Sequence, residues 1–531
     1  MKAYLYQLIV TALLLSLLAL SGSPRPAQAL SEHPGSDFGA IDRYVSAQMQ
    51  EAHIPGLALG IIHTDQIVHL RSFGVATPTG QPITPQTPFI IGSLSKSFTA
   101  LAILQLGEAG KMDLDASVQR YLPWFRVADR HASAQITVHH LLHQTSGLSP
   151  SAGVEPLAGT GQASLEQRVR ELRTVVLSQP VGQTFQYSNA NYVVLGLLIQ
   201  VVSGQTYGAY LQQHIFAPLQ MHHSFVSQGE ALKAGLATGS RWWFGLPVPA
   251  SLPYLSDQLP TAFLISSAED MTHYLIAHNT NGSYLGTHVL SVLGMDELHQ
   301  AAALVSASKD GYLYYGMGWF IGSTADVPTI AHNGDTANFH AEMVMVYHAG
   351  WGIVILINAN GLLAQETTFK QITQGVTRLL VGQQPPSQAI SFSQLDTGLD
   401  LAILLLSVLQ LWYLWKVLSG RKHVEELTQH AGVLVCYVLL AAGAIVVPLV
   451  LVIGLPLTLA TPWSVMLLYQ PDITLWLIAM MLLSAGTAIT QAVLVVMGLL
   501  RRRARSRVKR WRKGPRQPLC KISAPQNERV V

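Results

Sequence analysis

Phe89-Ile90-Ile91-Gly92-Ser93-Leu94-Ser95-Lys96-Ser97-Phe98-Thr99-Ala100 is the stretch on which the reading of this chain turns. An apolar, strand-like approach ends at a glycine and runs into a helical pattern whose first turn carries Ser93 and Lys96. Side chains three apart share a helix face, with Cβ atoms about 5–6 Å apart. A serine hydroxyl is a weak nucleophile until a base stands within hydrogen-bond reach. A lysine desolvated in a pocket becomes neutral enough to be that base. The spacing by itself is common, because Ser-x-x-Lys recurs at Ser306/Lys309, Ser419/Lys422 and Ser506/Lys509. Ser306 leads into an Asp-Gly turn at Gly311, where no helix holds the pair together. The last two lie in the C-terminal region treated below. Only Ser93 follows an apolar strand and opens a long helix.

Outward from this segment, Gly56–Ile62 reads as a buried strand, Thr64-Asp65-Gln66 as a turn and Ile67–Phe73 as the returning strand. A second hairpin is expected from Ala341–Tyr347 and Gly352–Asn358, around His348-Ala349-Gly350-Trp351. A helix over Thr368–Val381 follows it. Between the two hairpins the pattern is mostly helical, as in Ser97–Glu108, Ser164–Leu177 and Asn191–Val202. Strands at both ends with helices between them predict an α+β fold, one antiparallel sheet flanked by helices plus an all-helical subdomain.

Further segments fall in a familiar order. They are Gly110-Lys111-Met112-Asp113-Leu114-Asp115 through Tyr121-Leu122-Pro123, Leu141-Leu142-His143-Gln144-Thr145-Ser146-Gly147-Leu148, and Tyr187-Ser188-Asn189 with Asn191-Tyr192. Tyr315-Gly316-Met317-Gly318-Trp319 and His332-Asn333-Gly334 complete the series. With the Ser93–Lys96 segment, this set resembles the serine β-lactamase and penicillin-binding-protein superfamily over roughly Ile41 to Val381. It is most similar to the class C β-lactamase-like branch, which includes D-Ala-D-Ala carboxypeptidases, D-aminopeptidases and esterases.

The resemblance implies a division of labour. Ser93 attacks a carbonyl and becomes acylated. Lys96 accepts or relays its proton, with Tyr187 as partner base and later donor to the leaving group. Asn189 orients Lys96 and the substrate amide. His332 lines the cleft, favouring a negatively charged or polar substrate end and the anionic form of the tyrosine. Gly334 lets substrate approach the strand edge beside Asn333, and the backbone N–H groups of Ser93 and Asp335 form an oxyanion hole. No metal and no organic cofactor is implied. The histidines of the body lack carboxylate-backed ligand spacing, which argues against zinc. Two segments depart from the family pattern: Thr261–Met271, where Phe263 stands in place of a small residue, and Asn338 before Phe339, where glycine is usual. Both bear on substrate preference and leave the catalytic set intact.

The composition explains the rest of the chain. Of its 531 residues 11% are charged and 49% hydrophobic, against roughly a quarter charged in a soluble domain. Such apolar content excludes disorder, and two cysteines exclude a disulfide scaffold. The net charge of +3 conceals an acidic body (15 Lys+Arg against 24 Asp+Glu over Leu30–Gly398) and a basic end (12 against 1 over Arg501–Val531).

Residues 1–29 read as a secretory signal, with Lys2, the apolar run Leu8–Leu20 and Ala27-Gln28-Ala29 as a small-x-small cleavage site; an uncleaved anchor is the other reading. Either one exports residues 30–382. Residues 383–398 form a polar linker. Three apolar stretches, about 399–418, 431–457 and 473–500, approach or exceed the roughly 20 residues of a spanning helix. The first is also compatible with an interfacial segment. Three spans put Arg421 and Lys422 inside, a Lys/Arg-free loop at Thr461–Asp472 outside, and the basic tail 501–531 inside, as the positive-inside rule asks. The tail thus reads as a topology signal and then as a contact for anionic lipid, not as a nucleic-acid site.

The expected partners are the bilayer and a small-molecule or peptide substrate, peptidoglycan-derived pieces included. The residues do not set an oligomeric state. The expected activity is that of a membrane-anchored extracytoplasmic serine hydrolase cleaving an amide, lactam or ester bond. The alternatives are a non-catalytic receptor for penicillin or cell-wall fragments that acylates without turnover, and a membrane module in its own right. The spans offer no interior charged pathway for the latter.

Overall fold

The computed structural model describes residues 37–153, 163–308, 311–387, 390–419 and 462–512, with scattered positions between 435 and 457. The signal segment, most of the middle apolar stretch and the end of the basic tail lie outside the described residues. The chain divides into two compact units, one holding everything to Asp400 together with Ser464–Asp472, the other Leu401–Trp463 and Ile473 onward.

The first unit begins with helix α1 (Phe38–Glu51), whose first turn is closed by Asp37 accepting from Ala40 N at 3.0 Å. Ile41, Val45 and Met49, four apart, give it a single buried stripe. Strands β1 (Gly56–His63) and β2 (Gln66–Gly74) form the expected hairpin. After the helical middle of the chain come β3 (Ala303–Ser308), β4 (Gly311–Tyr315), β5 (Phe320–Thr324), β6 (Val327–Thr336), β7 (Phe339–Val346) and β8 (Trp351–Ile357). The sheet runs β2-β1-β8-β7-β6-β5-β4-β3, antiparallel throughout. β1 pairs with β8, Leu57 opposite Ile357, which joins the two ends of the body inside the sheet, one strand in from its β2 edge.

The pleat separates two cores. Leu57, Leu59, Ile61, Ile353, Ile355 and Ile357 face α1 and the helix Lys370–Leu380; the other face carries Ala58, Ile62, Met343, Val354 and Leu356. In chain order the helices are α2 (Ser95–Glu108), α3 (Asn189–Ser203), α4 (Ala268–Asn279) and α5 (Lys370–Leu380). α4 lies on β1 so closely that a Cβ on Gly60 would stand 2.5 Å from Thr272 Cγ2. α2 and α3 pack together as the heart of the helical subdomain. α2 is buried over nearly its whole length, Ser95 through Leu104 and Leu106; it is a core helix, not an amphipathic one.

The α+β architecture is the expected one, with two differences. The body from Ala303 to Thr324 is stranded rather than helical. Its strands sit at the sheet's end with exposed residues such as Leu304, Tyr312 and the serines of β3, so no clean apolar alternation announces them. The helix expected over Ser164–Leu177 covers only Leu165–Glu171 before a 3₁₀ turn at Leu172–Thr174. As expected, Ser306 lies in no helix: it sits in β3, paired with β4.

In the second part of the chain, α6 (Phe392–Ser419) and α8 (Pro471–Arg512) flank a short helix, α7 (Trp463–Tyr469). Among the described residues two helices are long and apolar enough to cross a membrane, Phe392–Ser419 and Pro471–Val508, each with mean hydropathy 1.9. The middle expected span cannot be set beside them, since it falls largely outside the described residues. Within the second unit the two long helices share polar contacts: Gln410 Nε2 donates to Ser484 Oγ at 2.6 Å, and Trp476 Nε1 to Ser407 Oγ at 2.9 Å. Such bonds hold helices together in apolar surroundings. α8 continues past Leu500 into the arginines as one helix.

Candidate active site

The turn before α2 is built for display. Gly92–Leu94 is a 3₁₀ turn, Ser95 Oγ donates to Gly92 O at 2.8 Å and Ser97 Oγ to Leu94 O at 2.8 Å. These bonds occupy carbonyls of the turn and leave Ser93 as its one partly exposed hydroxyl. Gly92 has φ +54, and a Cβ there would lie 2.3 Å from Asp335 N. A Cβ on Gly334 would lie 2.0 Å from Ile91 O. The two glycines let β6 cross the serine turn in direct contact, so the Asp335 N–H comes to the nucleophile's own loop.

β6 pairs with β5 only to Ala331, and from His332 to Thr336 only its β7 side is paired. That half-open edge faces the position where an extended substrate could add its own hydrogen bonds.

Lys96 is fully buried beneath Ser93. Its Nζ stands 3.1 Å from Ser93 Oγ, 2.8 Å from Asn189 Oδ1 and 2.9 Å from Thr261 O. Burial drives its ammonium well below the usual lysine value. A neutral amine has two N–H groups and one lone pair. The two carbonyl oxygens can only accept, so they use both N–H groups, and the lone pair is left to the one partner that can donate, the Ser93 hydroxyl. The geometry is that of a base waiting for a proton.

Tyr187 stands beside the Lys96 amine. Lys96 Nζ sits 4.7 Å from its ring centre, and its phenol is within interaction range of the Ser93 hydroxyl. Burial, then the neighbouring Tyr315, push the phenol well above its ordinary value, against the pull of the Ser93 hydroxyl. It is therefore a proton-carrying phenol in the resting site. The expected phenolate does not fit, because nothing here offsets the cost of a buried anion.

His332 brings a second correction. Burial, the largest cause, holds it down to about 3, helped by Lys96 whenever that group is charged, with the Asn333 carbonyl and Asp335 opposing. Its Nδ1 stands 2.6 Å from Asn333 O and so carries the hydrogen, leaving Nε2 to accept from Tyr315 Oη at 3.4 Å. A neutral imidazole cannot attract a negative substrate end by charge or stabilise a phenolate. Its place is beside the tyrosines, 6.2 Å ring to ring from Tyr187.

Ser93, Lys96, Tyr187, Asn189, His332, Gly334 and Asp335 all converge here. Asn333 is exposed at the rim, its Nδ2 donating to Asp335 Oδ2 at 2.7 Å.

The sequence reading assigned no role to three supporting residues. Thr261 supplies the third partner of Lys96 through its carbonyl, which no side-chain pattern announces. Gln144, at φ +60, accepts from Ser188 N at 2.9 Å through Oε1 and from Gln186 N at 2.8 Å through its backbone oxygen, so it clamps both sides of Tyr187. Tyr315 meets Tyr187 edge to face at 6.3 Å and closes over His332. Gln144 and Tyr315 both stand in the ordered segments quoted above, which was the available signal. Of the two departures, Asn338 is buried and ties β6's end to a loop through Nδ2 and Ala250 O at 2.9 Å. Phe263 packs edge to face on Tyr254.

A serine whose hydroxyl lies against a buried amine and beside a phenol, with the Asp335 backbone packed on its own turn, is a site for acyl transfer through the serine. The fold around it is that of β-lactamases and penicillin-binding proteins. Comparison with known proteins agrees: the Beta-lactamase family matches residues 41–373, and the chain belongs to that family.

It is 28% identical to "Protein flp" of Staphylococcus aureus (strain MW2) over 322 residues, 60% of this chain and 63% of that one. Penicillin-binding protein 4 of Amycolatopsis lactamdurans is 28% identical over 59% of this chain and 83% of its own length. Among solved structures, the octameric penicillin-binding protein homologue from Pyrococcus abyssi aligns with TM-score 0.57 and 25% identity, over 66% of this chain and 78% of that one. This chain thus spans less than two thirds of the staphylococcal relative it matches.

Proposed function

We propose that this chain is a membrane-tethered, extracytoplasmic serine hydrolase that forms an acyl-enzyme on Ser93 and cleaves an amide, lactam or ester bond. The observation that carries the reading is Lys96: a buried amine 3.1 Å from Ser93 Oγ whose N–H groups are spent on Asn189 and Thr261.

The steps follow from that arrangement. The Ser93 proton passes to Lys96 Nζ as Oγ attacks the substrate carbonyl carbon. The carbonyl oxygen takes the negative charge between the N–H groups of Ser93 and Asp335. As the carbon–nitrogen or carbon–oxygen bond breaks, Tyr187 gives its phenolic proton to the leaving group and recovers one from the Lys96 ammonium, which is again neutral. Water then attacks the ester on Ser93, with the same amine and phenol taking and returning its proton. Neutral His332 keeps Tyr187 and Tyr315 in register, and Asn189 holds both the amine and the substrate amide.

Burial of Lys96 tunes the base toward working pH, as general base catalysis requires. The low charge density, the two apolar helices and the arginine-rich end of α8 support the tether and the orientation.

The test is a turnover screen of the full chain in detergent against D-Ala-D-Ala peptides, a chromogenic cephalosporin and short-chain aryl esters. Sustained product release from one class, lost in Ser93→Ala, is the expected result. One equivalent of product followed by a stable adduct would identify an acylated receptor. No adduct and no turnover with any class would reject the proposal.

A further inference from the structure

Asp335 enters the candidate site through its backbone N–H, while its side chain is engaged elsewhere. Asp335 and His340 stand directly opposite each other across β6 and β7, so their side chains share one face of the sheet. The carboxylate gathers four donors. Its Oδ1 accepts from His340 Nδ1 at 2.8 Å, Asn360 Nδ2 at 2.8 Å and Gln365 Nε2 at 3.0 Å, and its Oδ2 accepts from Asn333 Nδ2 at 2.7 Å. A carboxylate bonded on both oxygens is held in one rotamer, and the peptide that carries it is held with it. The corner has little room for drift, since a Cβ on Gly92 would already lie 2.3 Å from Asp335 N.

Of the four donors only His340 can carry a charge. It is 4% exposed, its ring stacks on Phe369 with centres 4.4 Å apart, and its Nε2 faces Glu342 Oε2 at 3.4 Å. With a carboxylate at each nitrogen, both nitrogens hold hydrogen and the ring is an imidazolium. Burial works against that charge, but Asp335 and Glu342 outweigh it and raise the histidine to about 9. Phe369 and Gln365, from the turn before α5, and Asn360, which also pack on the pair, are neutral. Glu51 of α1 accepts instead from Thr368 Oγ1 at 3.4 Å and Ser393 N at 2.7 Å. A buried ion pair is a poor source of stability, because desolvation consumes most of the attraction. What this one fixes is geometry.

We infer that His340, clamped between Asp335 and Glu342, is a positioning residue for acyl transfer: through the Asp335 carboxylate it holds the Asp335 N–H against the Ser93 turn. The histidine touches neither substrate nor Ser93; it acts through one bond to the residue that supplies the oxyanion donor. Acylation then depends on a charge behind the sheet. The grip is complete while the imidazole is protonated and weakens as pH climbs to about 9 and the charge leaves. This rests on the acyl-serine reading of Ser93 and on Asp335 N–H as the oxyanion donor.

The test measures the second-order rate and the final stoichiometry of Ser93 labelling by a fluorophosphonate, on the full chain in detergent, from about pH 6 to about pH 10. His340→Asn is expected to slow labelling about tenfold at neutral pH, short of the 10²–10³-fold cost of losing an oxyanion donor outright, while the final stoichiometry stays that of the parent. The parent-to-variant rate ratio cancels the titration of Lys96, which both chains carry. It should shrink severalfold by about pH 10, one unit above the value of the histidine. Asp335→Asn keeps the N–H and removes the carboxylate; it should lose a similar factor, and the double variant little more than either single one, because both changes break the same bond. Gln365→Ala takes a donor from the same oxygen at a half-buried position and should slow labelling about threefold, a check that stands should His340→Asn fold poorly. Rates within twofold of the parent in all these variants overturn the inference, as does a deficit in His340→Asn that is constant with pH. Fewer labelled sites at an unchanged rate would show a folding role only and overturn it too. No labelling of Ser93 in the parent overturns the acyl-serine reading itself, and this inference with it.

Discussion

Lys96→Arg tests the chemistry of the site most sharply, because it puts a permanent cation where the account requires a neutral base. The guanidinium stays protonated in proteins, so it cannot take the Ser93 proton. Removing a general base slows a reaction about 10²–10⁴-fold, or about 3–5 kcal/mol of barrier at 1.36 kcal/mol per decade. Were Lys96 only a hydrogen-bond partner of Ser93, the loss would be about 1 kcal/mol, roughly fivefold. The two readings are separated by more than a decade.

The assay is the second-order rate of Ser93 labelling by a fluorophosphonate, with Lys96→Met alongside as a neutral replacement. Either variant labelled within tenfold of the parent would refute the base assignment. Stability gives a second readout whose sign follows from burial. The folded amine titrates below the unfolded lysine value of about 10.4. Between those two values the unfolded chain binds more protons, so stability rises with pH across that window. The parent-minus-Lys96→Met stability difference should therefore rise toward alkaline pH, whatever constant offset comes from leaving the Asn189 and Thr261 carbonyls unpaired. A flat difference contradicts a buried neutral amine.

Other outcomes follow from the same geometry. Gly334→Ala puts a methyl 2.0 Å from Ile91 O, so β6 must move; loss of one oxyanion donor should slow Ser93 acylation about 10²–10³-fold, and a rate within tenfold of the parent would contradict it. His332 is neutral down to about 3; the pH–rate profile of the parent should have no limb near pH 6–7 that disappears in His332→Asn, and such a limb would show that the imidazole titrates there. His340 is the opposite case: burial works against its charge, but Asp335 and Glu342, at 2.8 Å and 3.4 Å, outweigh it and raise the imidazole to about 9. Its stabilisation is fully present below about pH 6.5 and is lost as pH climbs to about 9. The parent-minus-His340→Asn unfolding free energy should fall by a few kcal/mol over that range, and a difference that rises or stays flat would count against the buried charge.

Much of this site was legible because its logic is local. Ser93 and Lys96 share one helical turn, and the outer hairpins are apolar runs around turn residues, enough to predict one antiparallel sheet but not the pairing of β1 with β8. Long-range facts were harder to read. Thr261 acts through a carbonyl, which any residue possesses. The strands from Ala303 to Thr324 are half-solvated at the sheet's end, and their polar faces blur the period. The protonation states of Tyr187 and His332 depend on how deeply the fold buries them, and that depth inverts the charges the motifs suggest. The Ser464–Asp472 segment resembles a connector in every respect except its buried Gln470 and Asp472, and Phe244, which donates to Asp472, lies more than two hundred residues away.

Everything turns on whether one hydroxyl becomes covalently modified. Intact-mass and peptide-level spectrometry of the full chain, treated with benzylpenicillin or a fluorophosphonate, should find a single adduct on the peptide containing Ser93. The adduct should be absent in Ser93→Ala and sharply slowed in Lys96→Arg. An adduct on another serine, or labelling that persists unchanged in Ser93→Ala, would contradict the account.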